Sequence, residues 1–351
     1  MAVTADPHVD PNDDPHGLWR EILSLARHAP SPHNVQPWRI QLLSEREAEL
    51  FIDGDRTLPK EDFTGSFLIS AMGMFLEAID LLAAPHRMRL EYRLHQSAAW
   101  FAAKACAEHV HELIPFAHLR LIKSEEVEIA YEPALFRKRR TCRISLHAKP
   151  VESHAVANLT SLAQRWGHCY RQTDAPEQIE RILERNIDAV FHDMNVAGYH
   201  DEITSWFRFT DTEAQRHRDG LDWRCMNLSR SEFWMSARLS KLLLFAPTRA
   251  LFKKRYRKQL GVVPTIGMLS GKFFVAKNAV DSGRFLMQFW LETAKLGLYL
   301  HPYGNLVTNP EAAAWLVREV GLEDIWLVFK LGYADEPPES YRRSLEEILV
   351  S

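Results

Sequence analysis

Residues 63–84, FTGSFLISAMGMFLEAIDLLAA, form a stretch too long for a strand and apolar on nearly every side. A helix with no polar face must lie inside a protein or a membrane. Spanning a bilayer asks for about 18 or more uninterrupted apolar residues, and no stretch of this chain is that long. The segment is therefore expected to be a helix buried in a protein core, with no integral membrane segment in the chain. A fainter copy follows at residues 282–302, SGRFLMQFWLETAKLGLYLHP, again a small-residue start leading into an apolar helix. The echo fits two related halves, each packing one buried helix against the other.

Around these two segments the pattern alternates between helical and strand periods. Leu18, Ile22, Leu25 and Ala26 lie on one helical face, and Pro30 ends that run. Trp38–Leu43 and Glu49–Asp53 read as a hairpin, and Met88–Leu94 and His118–Ile122 as strands with a helical WFAAKACAEHV between them. Pattern gives way to basic residues between Ala134 and Pro150, which marks a module boundary. Beyond it the periodicity predicts a helix over Ser153–Trp166, a strand at Cys169–Gln172 and a helix from Pro176 to about Val196. Asp281 or Ser282 is expected to cap a helix through Leu298, Asn309-Pro310-Glu311 another, and Ile325–Tyr333 is a buried strand. Residues 200–275, rich in Trp, Arg and Met, read as an insertion. The expected division is a disordered tail over 1–16, a first module over 17–135 and a second over 136–351.

Charge and composition exclude several classes. A net charge of -3 over 351 residues leaves no basic footprint for nucleic acid. Cys106, Cys142, Cys169 and Cys225 form no CxxC pair, so neither a disulfide framework nor a metal site is expected, and a reducing cytoplasm fits. The acidic, Pro-rich start does not read as a signal peptide. Residues 241–258, KLLLFAPTRALFKKRYRK, combine an apolar half with a basic end, which suits either a membrane-surface helix or a helical excursion broken near Pro247. Neither a GxGxxG turn nor a P-loop pattern occurs, so there is no separate dinucleotide domain.

Three segments carry groups able to do chemistry. Ala29-Pro30-Ser31-Pro32-His33-Asn34-Val35-Gln36-Pro37-Trp38 joins a helix to a strand and is crowded with side chains that both donate and accept hydrogen bonds. It suits contact with a planar heterocycle, or it is an ordinary turn satisfying its own backbone. Arg137-Lys138-Arg139-Arg140-Thr141-Cys142-Arg143 and the C-terminal Tyr341-Arg342-Arg343 offer guanidinium forks matched to phosphate, or are solvated basic runs.

Together the segments are specific. APSPHNVQPW closely resembles the APSxxNxQPW signature of nitroreductase-like flavoproteins, and RRTCR their RRSxR signature. LGLYLHPYGN resembles that family's loop beside the flavin, and LGYADEPPESYRRSLEEIL its closing strand and basic tail. Coverage runs from about Leu18 to the C-terminus, weakest over 200–275. Ordinary members open with RRSxR and follow it with APSxxNxQPW, whereas here the order is reversed, which matches the fused, Acg-like group whose two modules imitate the usual homodimer. Pro32 and Cys142 depart from that group's usual residues.

The resemblance implies an α+β fold of tandem nitroreductase-like modules, each a mixed, mostly antiparallel sheet flanked by helices, forming a pseudo-dimer consistent with a monomer. It implies one FMN, contacted by Pro30, Ser31, Asn34 and Gln36 from the first module and by Arg139, Arg140, Thr141 and Arg143 from the second. Arg139, with Arg343 or Arg342, would lie near the phosphate and ribityl chain, and Pro302, Tyr303 and Gly304 at the far side of the ring. Arg143 would tune the flavin by favouring its anionic reduced form, and no side chain is an obligatory nucleophile. His33 is a candidate proton donor or a solvent-facing loop residue, His301 reads as structural, and Cys142 beside two arginines could have a lowered pKa. The implied activity passes hydride from NAD(P)H to a nitroaromatic, a quinone or another small conjugated acceptor. The alternative is FMN storage, with 200–275 as a lid whose Trp206, Phe207, Trp223, Phe233 and Trp234 cover the ring. With one set of signatures, only one complete flavin pocket is expected.

Overall fold

The computed structural model describes residues 14–107, 111–196, 198–238 and 246–350. Helix α1 (Gly17–Ala26) leads into the hairpin β1 (Trp38–Leu42) and β2 (Glu47–Asp53), then α2 (Ser66–Ala83), β3 (Met88–Leu94), α3 (Ala98–Ala105) and β4 (Leu113–Lys123). The strands form one antiparallel sheet in the order β1-β2-β4-β3. Alternate residues of β1 and β2 face inward, so Trp38 and Ile40 lie opposite Ile52 and Leu50 as buried pairs.

The chain then repeats itself with additions. After α4 (Leu135–Lys138) come α5 (Ser153–Arg165), β5 (Cys169–Thr173) and α6 (Pro176–Asp193). A run of short pieces follows: α7 (Tyr199–Ser205), β6 (Phe207–Arg208), α8 (Asp211–His217), β7 (Leu221–Asp222), α9 (Arg230–Arg238) and α10 (Ala246–Leu260). The scaffold resumes with β8 (Thr265–Ser270), α11 (Ala276–Lys295), β9 (Tyr299–Pro302), α12 (Asn305–Thr308), α13 (Pro310–Val320), β10 (Ile325–Gly332) and α14 (Leu345–Ile348). This second sheet is also antiparallel, in the order β5-β8-β10-β9. Matching β1, β2, α2, β3 and β4 to β5, β8, α11, β9 and β10 reproduces both strand order and direction, so the chain carries one α+β topology twice.

The two units meet through their buried helices. A Cβ on Gly73 of α2 would lie 2.2 Å from the Val280 carbonyl oxygen, and a Cβ on Gly283 of α11 would lie 2.1 Å from that of Ser70. Each glycine follows its partner's contact residue by three positions, as a two-fold relation between the helices requires. Only a residue without a side chain allows backbones this close. Beside the crossing, the buried Glu77 carboxylate accepts from Arg284 Nε at 2.7 Å and from Gln288 Nε2 at 2.5 Å. One hydrophobic cluster runs through both units, taking Trp38, Phe75 and Leu119 from the first and Phe289, Trp326 and Phe329 from the second. A smaller cluster sits under α6, α12 and α13. The C-terminus returns to the first sheet, where Leu349 bridges to Ile40 in parallel and Val350 N donates to Ile40 O at 2.8 Å.

Several expectations are corrected. The echo identifies the right pair of helices, within which Gly283 corresponds to Gly73. Asp281 and Ser282 do not cap α11, which begins at Ala276, so both lie inside the helix. The stretch 200–275 contains β8, a fully buried inner strand, so the inserted part ends at α10. The expected break near Pro247 falls at the edge of the described residues, which give α10 from Ala246 onward. The basic end of α10 is tied to the body through Arg257 with Glu180 and Lys253 with Asp188. Residues 241–245 and 1–13, on which the membrane-surface and disordered-tail expectations bear, lie outside the described residues. By length and hydropathy, residues 66–86 could cross a membrane, yet most of that segment is buried inside the fold.

Alanine is ordinarily favoured over glycine inside a helix by about 1 kcal/mol. At Gly73 and Gly283 the sign should reverse, each alanine costing about 1–3 kcal/mol through overpacking. Urea unfolding of each variant measures this, and a variant as stable as the parent would show that the helices are not in backbone contact.

Candidate functional site

The segment after α1 is locally strained. Ser31 is extended, but His33, Asn34 and Gln36 have φ of 44°, 57° and 53°. Left-handed backbone costs a residue with a Cβ roughly 1–2 kcal/mol, so three in four positions need external support. Within the loop, Ser31 Oγ accepts from Gln36 N at 2.9 Å. The rest comes from the second unit. Asn34 Nδ2 donates to Tyr341 O at 3.1 Å, and Asn34 Oδ1 accepts from Arg342 at 2.7 Å. Gln36 Oε1 accepts from Arg343 N, and Gln36 Nε2 donates to Arg218 O, both at 2.9 Å. Loop and C-terminal tail are thus folded onto each other.

Opposite the loop lies the segment following α4. Thr141 bridges to Leu300 of β9, and Cys142 N donates to Leu300 O at 3.0 Å, so the run lies along the edge of the second sheet. The Arg139 guanidinium donates to His28 O at 3.0 Å and lies over the Trp290 ring at 4.7 Å. Arg143 reaches only the Cys225 carbonyl, at 3.5 Å. Buried Nε atoms of Arg139 and Arg342 have no partner. Among the described residues no carboxylate stands within ion-pairing distance of Arg139, Arg143 or Arg342. Burial first, then repulsion from Arg342, presses Arg139 down to about 9, and burial brings Arg342 to about 10 and lowers Arg143. Burial, with Arg342 and neighbouring cations, drives His28 to about 3, so it stays neutral. Arg140 differs, being ion-paired to Glu336 at 2.9 Å.

These groups surround one cavity of about 1090 Å³, above the roughly 300–1,000 Å³ of most small-molecule sites. Pro30, Ser31 and Asn34 line it from the first unit. Arg139, Arg140, Thr141 and Arg143 form the second wall, and Pro302, Tyr303 and Gly304 at the end of β9 the third, with Arg342 closing between them. Gln36 and Arg343 do not line it. Gln36 is fully buried behind the loop, and Arg343 is spent on Gln36 O, Glu347 O and the Asp53 carboxylate. Both brace the wall from outside. The roof comes from α6 to α10, including Phe191, Phe207, Phe233 and Tyr256. Of the other aromatics expected there, Trp206 lies between the Arg56 and Arg208 guanidiniums, Trp223 donates to Asp211, and Trp234 is about half exposed.

The Cys142 expectation is corrected: burial raises its thiol, outweighing Lys330 and Arg143, so no reactive thiolate forms. His301 lines the cavity but burial holds it well below the ordinary range, and it is neutral. His33 is not a solvent-facing residue, since its Nε2 is ion-paired with Glu61 and both line the cavity. Lys330 was missed. From the middle of β10 its amine donates to the carbonyls of Ile144 at 2.7 Å, Arg143 at 3.3 Å and Leu260 at 3.4 Å. It pins the arginine segment and the end of α10 to one sheet; its signal was a lone lysine inside an otherwise apolar strand. Among the described residues no three His, Cys, Asp or Glu side chains converge as metal ligands.

Breaking a buried ion pair typically costs 3–5 kcal/mol, whereas deleting an unpaired buried charge relieves a desolvation penalty. Arg139→Met, in protein stripped of bound ligand and in phosphate-free buffer, should therefore be as stable as the parent or more so. Chemical denaturation tests this, and a loss of 3 kcal/mol or more would reveal a partner for that charge.

The chain matches no family model. It is 28% identical over 192 residues to "Putative NAD(P)H nitroreductase Rv3131" and to "Putative NAD(P)H nitroreductase MT3217", from two strains of Mycobacterium tuberculosis, an alignment covering 53% of this chain. The chain spans about half the length of these curated relatives, 50% of each. Partial structural likenesses include an FMN-dependent nitroreductase of Mycobacterium smegmatis in complex with NADPH (TM-score 0.37, 14% identity, 57% of this chain and 86% of that one). Another is a nitroreductase with bound FMN from Desulfitobacterium hafniense (TM-score 0.38, 10% identity, 62% and 96%).

Proposed function

We propose that this chain is a nitroreductase-like protein that holds one FMN in the cavity between its two units and uses it as an NAD(P)H oxidoreductase. The observation that carries the reading is that Arg139, buried, and Arg143 and Arg342, half-buried, face one cavity with no carboxylate within ion-pairing distance of them among the described residues. An arrangement that costs the empty protein free energy is suited to a group bearing negative charge. A flavin phosphate fits Arg139 and Arg342, whose Nε donors lack partners. A planar ring fits the polar edge given by Ser31 and Asn34 opposite Pro302, Tyr303 and Gly304. When bound, FMN would supply the two-electron chemistry.

The chain's own residues then bind, orient and exclude water. With FMN bound, Arg143 would supply a fixed positive charge that favours reduction of the ring. The roof residues Phe207, Phe233 and Tyr256 cover the cavity, and the water they would exclude strengthens that effect. With no dinucleotide-binding turn in the sequence, NAD(P)H and a conjugated acceptor such as a quinone or nitroaromatic would use the same space in turn. We place the unit boundary at 135/136, each unit giving one wall. The turn related to residues 29–37 by the repeat is the short Trp166-Gly167-His168, where His168 stacks on Phe285 with ring centroids 4.5 Å apart; a second flavin has no counterpart loop there. Storage of FMN is the second reading, favoured by the roof's coverage of the cavity.

Arg139→Ala should weaken FMN binding by about 1.5–3 kcal/mol, the range for hydrogen bonds to charged groups, read by fluorescence titration. Unchanged affinity would remove the phosphate from this wall. Arg143→Ala should lower the midpoint potential of the bound flavin; an unmoved potential would put that charge elsewhere. Under nitrogen, NADH or NADPH should bleach the flavin band rapidly, whereas a persistent oxidised band would favour storage.

A further inference from the structure

A second polar assembly faces the same cavity, and the flavin reading gives it no task. His33, held in left-handed backbone, presents its ring to the cavity with Nε2 ion-paired to Glu61. Glu61 is itself fixed. Its backbone N donates to Glu202 Oε1 at 2.9 Å, and the preceding Lys60 N to Glu202 Oε2 at the same distance. Glu202 comes from α7 in the roof, so the acidic side chain grips the two amides that position Glu61. From the same helix, the Tyr199 hydroxyl faces the Glu61 carboxylate while accepting from Asn305 Nδ2 at 3.1 Å. Glu61 is thus the carboxylate paired with His33, and Glu202 and Tyr199 stand behind it from the roof.

Nε2 is held by Glu61 while the residue lines the cavity, so Nδ1 is the ring nitrogen not engaged by that carboxylate. We propose that His33 is the proton donor to the acceptor, with Glu61 as its positioning residue; the assignment rests on the oxidoreductase reading above. Reduction of a quinone to a hydroquinone takes two electrons and two protons, delivered as one hydride and one proton. The nicotinamide supplies the hydride, carried by the flavin. The Nδ1–H bond of the His33 imidazolium breaks as an O–H bond forms on the acceptor, leaving neutral His33 hydrogen-bonded to the Glu61 carboxylate. Water then returns a proton to Nδ1, which accounts for the one proton consumed with each NAD(P)H. The loop strain has a use in this scheme, because the contacts of Asn34 and Gln36 to the tail hold His33 in a backbone conformation it would not choose alone.

The test uses the full FMN-loaded chain, with His33→Asn chosen because asparagine tolerates left-handed backbone. The flavin is reduced with dithionite and mixed anaerobically either with a benzoquinone, which needs the proton, or with ferricyanide, which takes single electrons and none. The variant should be reoxidised at least tenfold more slowly by the quinone and equally fast by ferricyanide, with added imidazole restoring part of the quinone rate. Glu61→Gln should show the same split and Glu61→Asp recover part of it. At equilibrium, the oxidised parent should bind 4-nitrophenolate at least tenfold more tightly than His33→Asn, read from the dye's absorbance. Reoxidation slowed alike for both oxidants, or unaffected for both, overturns the assignment, as does equal affinity for the phenolate or binding to neither protein. Because dithionite replaces NAD(P)H, failure of the nicotinamide to reduce the parent would count against the oxidoreductase reading alone.

Discussion

At Gly73 and Gly283, α2 and α11 touch backbone to backbone, and the rest of the molecule is arranged around that contact. Close approach lets two largely buried helices share one hydrophobic cluster, which draws aromatic and aliphatic side chains from both sheets. Burying Glu77 against Arg284 and Gln288 adds a polar lock whose groups satisfy one another, so a slipped register would leave a carboxylate buried without partners. The two units are halves of a single core. Their relative placement is set there, and with it the distance between the walls of the cavity.

A cavity at such a junction needs walls from both sides, and the contacts that build it are long-range in sequence. Beyond its own internal bonds, the loop over 31–36 is held across the sequence by the C-terminal tail and Arg218. The arginine segment holds its line through Leu300 and the Lys330 amine. Each wall is therefore rigid only in the assembled chain. The roof adds the part that an ordinary two-sheet scaffold lacks, since α6 to α10 fill the position taken in the first unit by a short hairpin turn between β1 and β2.

What the sequence makes legible follows physical range. Periodicity is local, so β3, β5 and β10 are readable to within a residue and α2 to within three, and an Asn309 cap with Pro310 behind it is stated in adjacent letters. The inner strand β8 is not readable, because TIGMLS is buried on both faces and short, with neither alternation nor helical length. Most residues of the site could be nominated from motifs, but their division of labour could not. Nothing in the letters distinguishes Arg342, which lines the cavity, from Arg343, which turns away to brace Gln36. Likewise the pairing of His33 with Glu61 joins residues 28 positions apart through a loop whose backbone no propensity favours.

The account rests on a bound anion resolving the cost of the buried Arg139 guanidinium and its half-buried neighbours Arg143 and Arg342, none with a carboxylate partner among the described residues. A crystal structure of the full chain grown with FMN tests that most directly. One flavin per chain is expected, its phosphate within hydrogen-bonding distance of the Arg139 and Arg342 guanidiniums and its ring between Ser31 and Tyr303. A flavin bound elsewhere, a second flavin beside His168, or a phosphate that leaves both guanidiniums unpartnered would contradict it.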